Sequence, residues 1–338
     1  MDSLSQLSYD LLKELLEHDT MKGCEFVLKK TCITFAEYMP KKTRTRVSTV
    51  VESVTLLQWA HDHGCPWNED MCAVAAKGGH LDSLKYLHGH DCTWYASTCE
   101  AAAKGGHLDC LKYLHENGCP WNEWTCEAAS DGGHLDCLTY AHENGCLWGE
   151  WVCANAATNG NIDCLKYAHE HYCAWSKYTC IWASEGGHLN CLKYAHEHGC
   201  PWNNEACANA AAGGHLDCLK YAHEHGCPWN EWTCTAAAVG HLDCLKYLHD
   251  HGCPWNEWTC EAAAKGGHLN CLKYAHENGC PWDYLTCADA ARGGHLDCLK
   301  YAHENGCPWD ASTCVAAAKG GHLDCHEYAH EHGCARYF

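Results

Sequence analysis

Small and apolar positions follow a helical period in two short stretches of residues 119–145. In the first stretch Cys126, Ala129 and Ser130 are three and four residues apart, so they share one narrow face lined with small side chains. The apolar positions of the second stretch are Leu135, Cys137, Leu138 and Ala141. This pattern predicts two short helices that pack through these faces.

Residues that favour helix ends flank both stretches. Thr125 can cap the first helix because its hydroxyl accepts a hydrogen bond from an orphan backbone N–H, and Glu127 suits the positive end of the helix dipole. The glycines at 132–133 end this helix, since glycine readily takes the left-handed conformation. The second helix is predicted to start near His134 and to end at Gly145.

The unit recurs from about residue 53 to the C-terminus, and a Cys-Pro-Trp-type triplet marks each copy. The period is 27 residues except between Trp229 and Trp255, where the Gly-Gly-His segment has lost one residue. The tryptophans of the triplet are Trp67, Trp94, Trp121, Trp148, Trp175, Trp202, Trp229, Trp255, Trp282 and Trp309. No strand pattern occurs in the unit. A fixed period of this length predicts a solenoid of helix pairs.

One copy of the unit carries a set of alanine, glycine and leucine positions that is typical of a known repeat. They are Ala262, Ala263, Gly267, His268, Leu269, Leu272 and Gly279. In this arrangement the unit resembles the ankyrin repeat, and the resemblance spans about 285 of the 338 residues. It is similar to arrays found in giant viruses of amoebae and in some protists. The unit departs from the family in being about six residues shorter than the usual ~33 and in having Thr-Cys-Glu in place of Thr-Pro-Leu-His.

The resemblance implies an all-α, ankyrin-like helix–loop–helix solenoid whose β-hairpin fingers are shortened or absent. The missing residues fall between Asn122 and Trp124, where the family's finger projects toward a concave partner-binding face. We therefore expect another protein to bind this face through the connector positions that vary between copies, with Trp182 as a further outlier. The candidate partner-binding residues are Glu123, Trp124, Glu150, Trp151, Lys177, Tyr178, Trp182, Glu231, Trp232, Glu257, Trp258, Tyr284 and Leu285.

Residues 1–40 differ from the repeats and are predicted to form a helical N-terminal cap, followed by the repeat array at 41–338. Leucines at helical spacing support this helix: Leu7, Leu11, Leu12, Leu15 and Leu16. The same segment is similar to the first helix of an F-box but lacks its proline. That similarity implies an alternative function, substrate-recognition adaptor of a cullin-type ubiquitin ligase. Because no signal peptide and no long apolar run is present, we expect a cytoplasmic protein with no membrane partner, in the host cytoplasm if it is viral.

The 32 cysteines and 29 histidines follow the repeat. Eleven cysteines precede the Pro-Trp position, ten lie in the first helix, nine in the second and two in residues 1–40. The three repeat positions are buried in the ankyrin pattern, so we predict reduced thiols packed in the core. A zinc site would need mixed ligands such as His169, His171 and Cys173. No cofactor is predicted, and disulfides or a zinc-binding structural repeat protein are the alternatives.

Charge divides the chain into a balanced head and an acidic array. Residues 1–50 contain 8 Lys and Arg against 7 Asp and Glu, whereas residues 51–338 contain 15 against 36. An acidic array favours a protein partner with a basic surface and disfavours nucleic acid. No catalytic constellation stands outside the repeat. The sequence therefore predicts a non-enzymatic scaffold for protein–protein interaction.

One histidine of each second helix has a further predicted role. It belongs to the Tyr-Ala-His-Glu segment, as His196 does. It lies late in the helix, where its charged form would suit the negative end of the dipole.

Overall fold

The computed structural model describes residues 50–62, 67 and 69–334. These residues form 21 α-helices and no β-strand, so the predicted all-α, ankyrin-like solenoid of helix pairs is confirmed. They belong to two compact units, one that ends at Trp148 and one that begins at Gly149. The predicted boundary at residue 40 and the F-box-like segment lie outside the described residues.

The helices are numbered in chain order. Those of the first unit are α1 Val54–Asp62, α2 Glu69–Lys77, α3 Leu81–Gly89, α4 Ala96–Gly105, α5 Leu108–Glu116, α6 Glu123–Gly132 and α7 Leu135–Glu143. Those of the second unit are α8 Trp151–Thr158, α9 Ile162–Glu170, α10 Lys177–Glu185, α11 Leu189–Glu197, α12 Asn204–Ala212, α13 Leu216–Glu224, α14 Glu231–Ala237, α15 Leu242–Asp250, α16 Glu257–Lys265, α17 Leu269–Glu277, α18 Tyr284–Gly293, α19 Leu296–Glu304, α20 Ala311–Gly320 and α21 Leu323–Glu331. Even-numbered helices are the first helices of their pairs, and odd-numbered helices are the second.

Within each unit, consecutive first helices pack side by side, and each also packs against its own second helix. The predicted small-residue face of α6 is confirmed, because Cys126, Ala129 and Ser130 are fully buried. On α7, the core contains Leu138 but not Leu135, which is 37% exposed. Leu135 is the first residue of its helix.

In α6 the helix starts three residues earlier than the threonine predicts. In α6 the N-cap is Asn122, whose side chain accepts a hydrogen bond from the backbone N–H of Trp124 at 3.2 Å. Thr125 is instead the third helical residue and is fully buried. Glu127 is the fifth residue rather than part of the first turn, and its pKa is raised by burial and by the nearby Glu123 and Glu100. The predicted capping and dipole roles of Thr125 and Glu127 are therefore wrong.

The glycine pair ends the first helix as predicted, and its second member has an added steric role. Gly133 caps α6 in the left-handed conformation with φ 76°. At the equivalent Gly106, also left-handed at φ 74°, a Cβ atom would clash with Nδ1 of His134. The His134 ring of one repeat therefore packs directly on the glycine backbone of the preceding one. This contact requires glycine for space as well as for conformation.

The repeated cysteines form part of the core. All 29 cysteines in the described residues are buried, and none of them forms a disulfide. The cysteine of each triplet also links neighbouring repeats: the thiol of Cys146 donates to the backbone carbonyl of Asn122 at 3.0 Å, and that of Cys227 to Asn203 at 3.1 Å. Burial raises the pKa of the Cys191 thiol to about 11, so that thiol stays protonated near neutral pH.

Candidate interaction surface

Two sets of aromatic side chains occur in the repeats, and their surroundings differ. The triplet tryptophan belongs to the inter-repeat packing. His196 stacks on Trp202 with ring centroids 3.8 Å apart, and Trp202 meets the edge of Tyr221 at 6.2 Å. His196 Nδ1 and the Tyr221 hydroxyl are 3.0 Å apart and hydrogen bonded. Lys193 Nζ lies 5.5 Å from the Tyr221 ring centroid.

This four-residue contact recurs between consecutive second helices, for example at Lys220, His223, Trp229 and Tyr247. It fixes the spacing of neighbouring repeats through stacking, a hydrogen bond and a cation–π contact at once. The tryptophan of the triplet is thus a packing residue between neighbouring repeats.

The histidine of this contact does not act as a charged end of the helix dipole. Burial and the neighbouring His225 lower the pKa of His196. Burial and the neighbouring His198 lower the pKa of His169 in the same way. The neutral ring is favoured because stacking on tryptophan removes water from it. For these two histidines the prediction that the charged form serves the dipole is therefore wrong.

Most of the candidate partner-binding residues lie in the first turns of the first helices rather than in the connectors; Glu150 directly precedes α8, and Trp182 is the sixth residue of α10. Glu123 and Trp124 are the first two residues of α6, and Trp124 is 58% exposed. Glu257 and Trp258 occupy the same positions in α16. The connector prediction is wrong here because α6, α10, α14, α16, α18 and α20 each begin at an Asn, Asp or Ser cap three residues before the threonine.

Three candidates from two consecutive first helices form a stacked cluster in the second unit. Trp151 of α8 lies 5.7 Å from Tyr178 and 5.6 Å from Trp182 of α10, and Tyr178 lies 5.3 Å from Trp182, all with near-parallel rings. Lys177 contributes a cation, since its Nζ is 4.9 Å from the Tyr178 ring centroid. We call these three rings the Trp151 cluster; Glu150, just before α8, is exposed beside it.

A second stacked group joins α14 and α16. The rings of Trp232 and Trp258 are 4.7 Å apart at 23°, and the two side chains are 53% and 39% exposed. We call them the Trp232–Trp258 pair. Glu231 and Glu257 each directly precede one of these tryptophans. The intervening α12 begins with Asn204 and Glu205, so no aromatic residue of its first turn connects the two groups.

The remaining candidates stand apart from these two groups. Glu123 and Trp124 belong to the first unit. Tyr284, the first residue of α18, is 44% exposed, whereas Leu285 is half-buried and its backbone N–H donates to Asp283.

Sequence reasoning missed a carboxylate pair next to the Trp232–Trp258 pair. Glu261 lies on α16 one turn after Trp258, and its carboxyl is close to that of Asp283, the N-cap of α18. Its Oε1 atom is buried without a hydrogen-bond partner. Burial, then Asp283 and Asp289, raise the pKa of Glu261 to about 7. One sequence feature could have predicted this pair. Only this copy of the repeat has both a glutamate directly after the cysteine of the first helix and an aspartate at the N-cap of the next first helix.

The donors of the mixed metal-ligand set are engaged elsewhere. His169 Nδ1 is bonded to the Tyr194 hydroxyl at 3.0 Å, and His171 Nδ1 to the Tyr167 carbonyl at 2.8 Å. The Cys173 thiol donates to the Gly149 carbonyl at 3.2 Å. Within the described ranges no three His, Cys, Asp or Glu side chains are grouped so that they could hold a metal ion. No helix of those ranges has the length and apolar character needed to cross a bilayer.

Comparison with known proteins identifies the repeat. The family model described as ankyrin repeats (3 copies) matches residues 180–259. The crystal structure of the human ASB11 ankyrin repeat domain is similar at 21% sequence identity, with a TM-score of 0.40 over 46% of this chain and 84% of that one. No curated protein matches the chain in sequence. The match to the family model confirms, over residues 180–259, the resemblance to ankyrin repeats drawn from the sequence.

Proposed function

We propose that the protein is a non-enzymatic scaffold that binds another protein through the first turns of its first helices, on the face that the ankyrin resemblance implies to be concave. Ankyrin repeats support a role in protein–protein interaction in general. The observation that carries this surface is the Trp232–Trp258 pair, in which large side chains at variable positions remain exposed. Exposed Trp and Tyr are effective anchors in protein interfaces.

In this proposal the residues that recur in each copy pack the repeats together, and the residues that vary between copies bind the partner. Histidine, cysteine and the triplet tryptophan are occupied by contacts between repeats, as His196, Cys227 and Trp202 illustrate. The stacked groups on α8, α10, α14 and α16 are left to contact a partner. The acidic composition of the array favours a partner with a basic surface.

The proposal is tested by affinity capture from cells with the full chain and with a variant carrying Trp232→Ala and Trp258→Ala. We expect a specific partner to be recovered by the first and lost from the second, because removing anchor residues typically costs 2 kcal/mol or more, roughly thirtyfold in affinity. Tyr172→Gly is the matched control. It removes a 96% exposed aromatic side chain at the end of a second helix. Equal recovery by all three proteins would reject this surface.

The alternative function depends on the head. A version lacking residues 1–40 distinguishes the plain scaffold from the proposed ligase adaptor. Cullin-type ligase subunits recovered only with the full chain would favour the adaptor. An unchanged partner would assign recognition to the repeats. Metal analysis after dialysis tests the zinc-binding alternative in the same preparations.

A further inference from the structure

The two stacked aromatic groups of the second unit differ in their charge. In the Trp151 cluster the chain supplies its own cation, because Lys177 Nζ lies 4.9 Å from the Tyr178 ring centroid. The Trp232–Trp258 pair has no such contact. Within residues 149–334 no lysine or arginine lies over either ring or forms an ion pair with Glu231, Glu257 or Glu261.

Glutamates lie on the two helices that carry the Trp232–Trp258 pair. Glu231 and Glu257 are the first residues of α14 and α16, and each is followed directly by one of the two tryptophans. Glu261 follows Trp258 by three residues, on the same side of α16. The first-turn glutamates offset the partial positive charge of the helix starts. The two first turns that carry the indoles therefore contain acidic and no basic side chains.

Glu261 itself is not an acceptor for a partner. Its Oε1 atom is buried, and burial together with Asp283 raises the pKa of its carboxyl to about 7, so much of it is protonated at neutral pH. Glu231 and Glu257 are half-buried and keep access to solvent. On α18, Arg292 is already engaged, because its Nη1 pairs with Asp289 at 3.0 Å.

An exposed pair of indole rings with carboxylates in the same first turns fits one type of partner side chain better than others. Guanidinium is planar, stacks on indole and donates to carboxylates in a fixed fork, whereas the ammonium of lysine is a compact and strongly hydrated charge. Resting on the proposed function, we propose that the Trp232–Trp258 pair with Glu231 and Glu257 binds an arginine side chain from an extended, arginine-bearing segment of the partner protein.

The proposal is tested by NMR titration of the full chain with the peptide acetyl-Gly-Arg-Gly-Arg-Gly-amide, observing the tryptophan indole N–H signals. Trp232→Phe and Trp258→Phe assign the two signals of the pair. We expect the peptide to shift these two signals and to leave those of Trp151 and Trp182 in place. The double variant Glu231→Gln with Glu257→Gln should weaken binding about tenfold, since it removes two charge-assisted contacts.

Matched peptides separate guanidinium from charge and from the peptide backbone. Citrulline in place of arginine keeps the shape without the charge and should abolish the shifts. Lysine should bind more weakly. Equal shifts with citrulline, equal shifts with lysine, or movement of the Trp151 and Trp182 signals to the same extent would each overturn the assignment.

Failure of this inference is distinguishable from failure of the proposed function. If arginine peptides do not bind, yet the Trp232→Ala and Trp258→Ala variant still loses its captured partner, the surface stands and the arginine assignment falls. If arginine peptides do not bind and the Trp232→Ala and Trp258→Ala variant keeps its captured partner, both the arginine assignment and the proposed surface are rejected.

Discussion

At the scale of single residues, backbone conformation explains where the repeat tolerates change. The residue that precedes the triplet cysteine is left-handed in every copy described and is glycine in most of them. Two copies depart from glycine: Asp91 has φ 61° and Tyr172 has φ 65°. Aspartate tolerates this region better than a bulky aromatic residue does. Tyr172 is therefore the strained copy.

We predict that Tyr172→Gly stabilises the protein by about 0.5–1 kcal/mol, the left-handed cost of tyrosine less the entropy that glycine loses on folding. Urea unfolding of the two proteins measures the change. Asp91→Gly is the control and should give a smaller gain. A loss of stability in Tyr172→Gly would show that the exposed tyrosine makes a stabilising contact.

Two left-handed glycines separate conformational from steric cost. A Cβ atom at Gly118, with φ 80°, meets nothing within 4 Å, whereas at Gly106 it meets the His134 ring. We expect Gly118→Ala to cost about 1 kcal/mol and Gly106→Ala to cost about 1–3 kcal/mol more. Thermal unfolding compares them. Equal costs would mean that His134 moves aside freely.

At the scale of the elements, hydrogen bonds between consecutive second helices hold the repeats in register. Tyr221 of α13 is nearly buried, and its hydroxyl bonds His196 of α11. We predict that Tyr221→Phe costs about 1 kcal/mol, because Nδ1 of His196 loses its partner. Tyr178→Phe is the matched control, since the contacts of that ring are through its face. Similar effects of both changes in urea unfolding would contradict a specific role for the Tyr221 bond.

The carboxylate pair between α16 and α18 gives stability a local dependence on pH. Because the pKa of Glu261 is raised from 4.5 to about 7, its contribution to stability is lost as pH rises through that range. We predict that Asp283→Asn stabilises the protein at pH 8, by less than about 1 kcal/mol, because it removes the like charge and keeps the cap.

Asp310→Asn is the control for this change. Asp310 caps α20 in the same way, but alanine (Ala288) stands where the preceding copy has Glu261. This variant should show no comparable gain between pH 5 and pH 8. A gain of equal size would assign the effect to the caps and not to Glu261.

At the scale of the whole molecule, histidine makes stability depend on pH in the opposite sense. Burial, followed by a neighbouring histidine, lowers the pKa of His169, His196, His223 and His303. An unfolded histidine takes up a proton near pH 6.5, before the folded one does. The stability from these groups is therefore complete above pH 6.5 and is lost as pH falls below it.

We predict that the urea midpoint falls between about pH 7.5 and about pH 5. His198→Asn should reduce the fall, because it removes the charge next to His169. It also preserves the local bond: His198 Nδ1 bonds the Tyr194 carbonyl at 2.7 Å, and Asn144 makes the equivalent bond to Tyr140 at 2.8 Å. A midpoint that is constant over this range would refute the role of these histidines.

The sequence by itself determined the helix pair, its period and its small-residue core. Glycine pairs and recurring cysteine and alanine positions act locally, so the ends of α6 and the burial of Cys126 and Ala129 could be predicted from spacing. The exact helix start was not predictable from Thr125, because the asparagine three residues earlier, Asn122, is the N-cap instead. The candidate positions of the first turns could also be predicted, since their residues vary between copies whereas most other positions of the repeat are the same.

Only the tertiary structure decided which of those side chains meet. The stacking of Trp232 on Trp258, and of Trp151 on Tyr178 and Trp182, joins residues 26 to 31 positions apart in the chain through the packing of consecutive first helices. The same packing brings Glu261 to Asp283 and buries the histidines against tryptophan. Contact between repeats sets exposure and pKa, because both depend on how much water a neighbour removes.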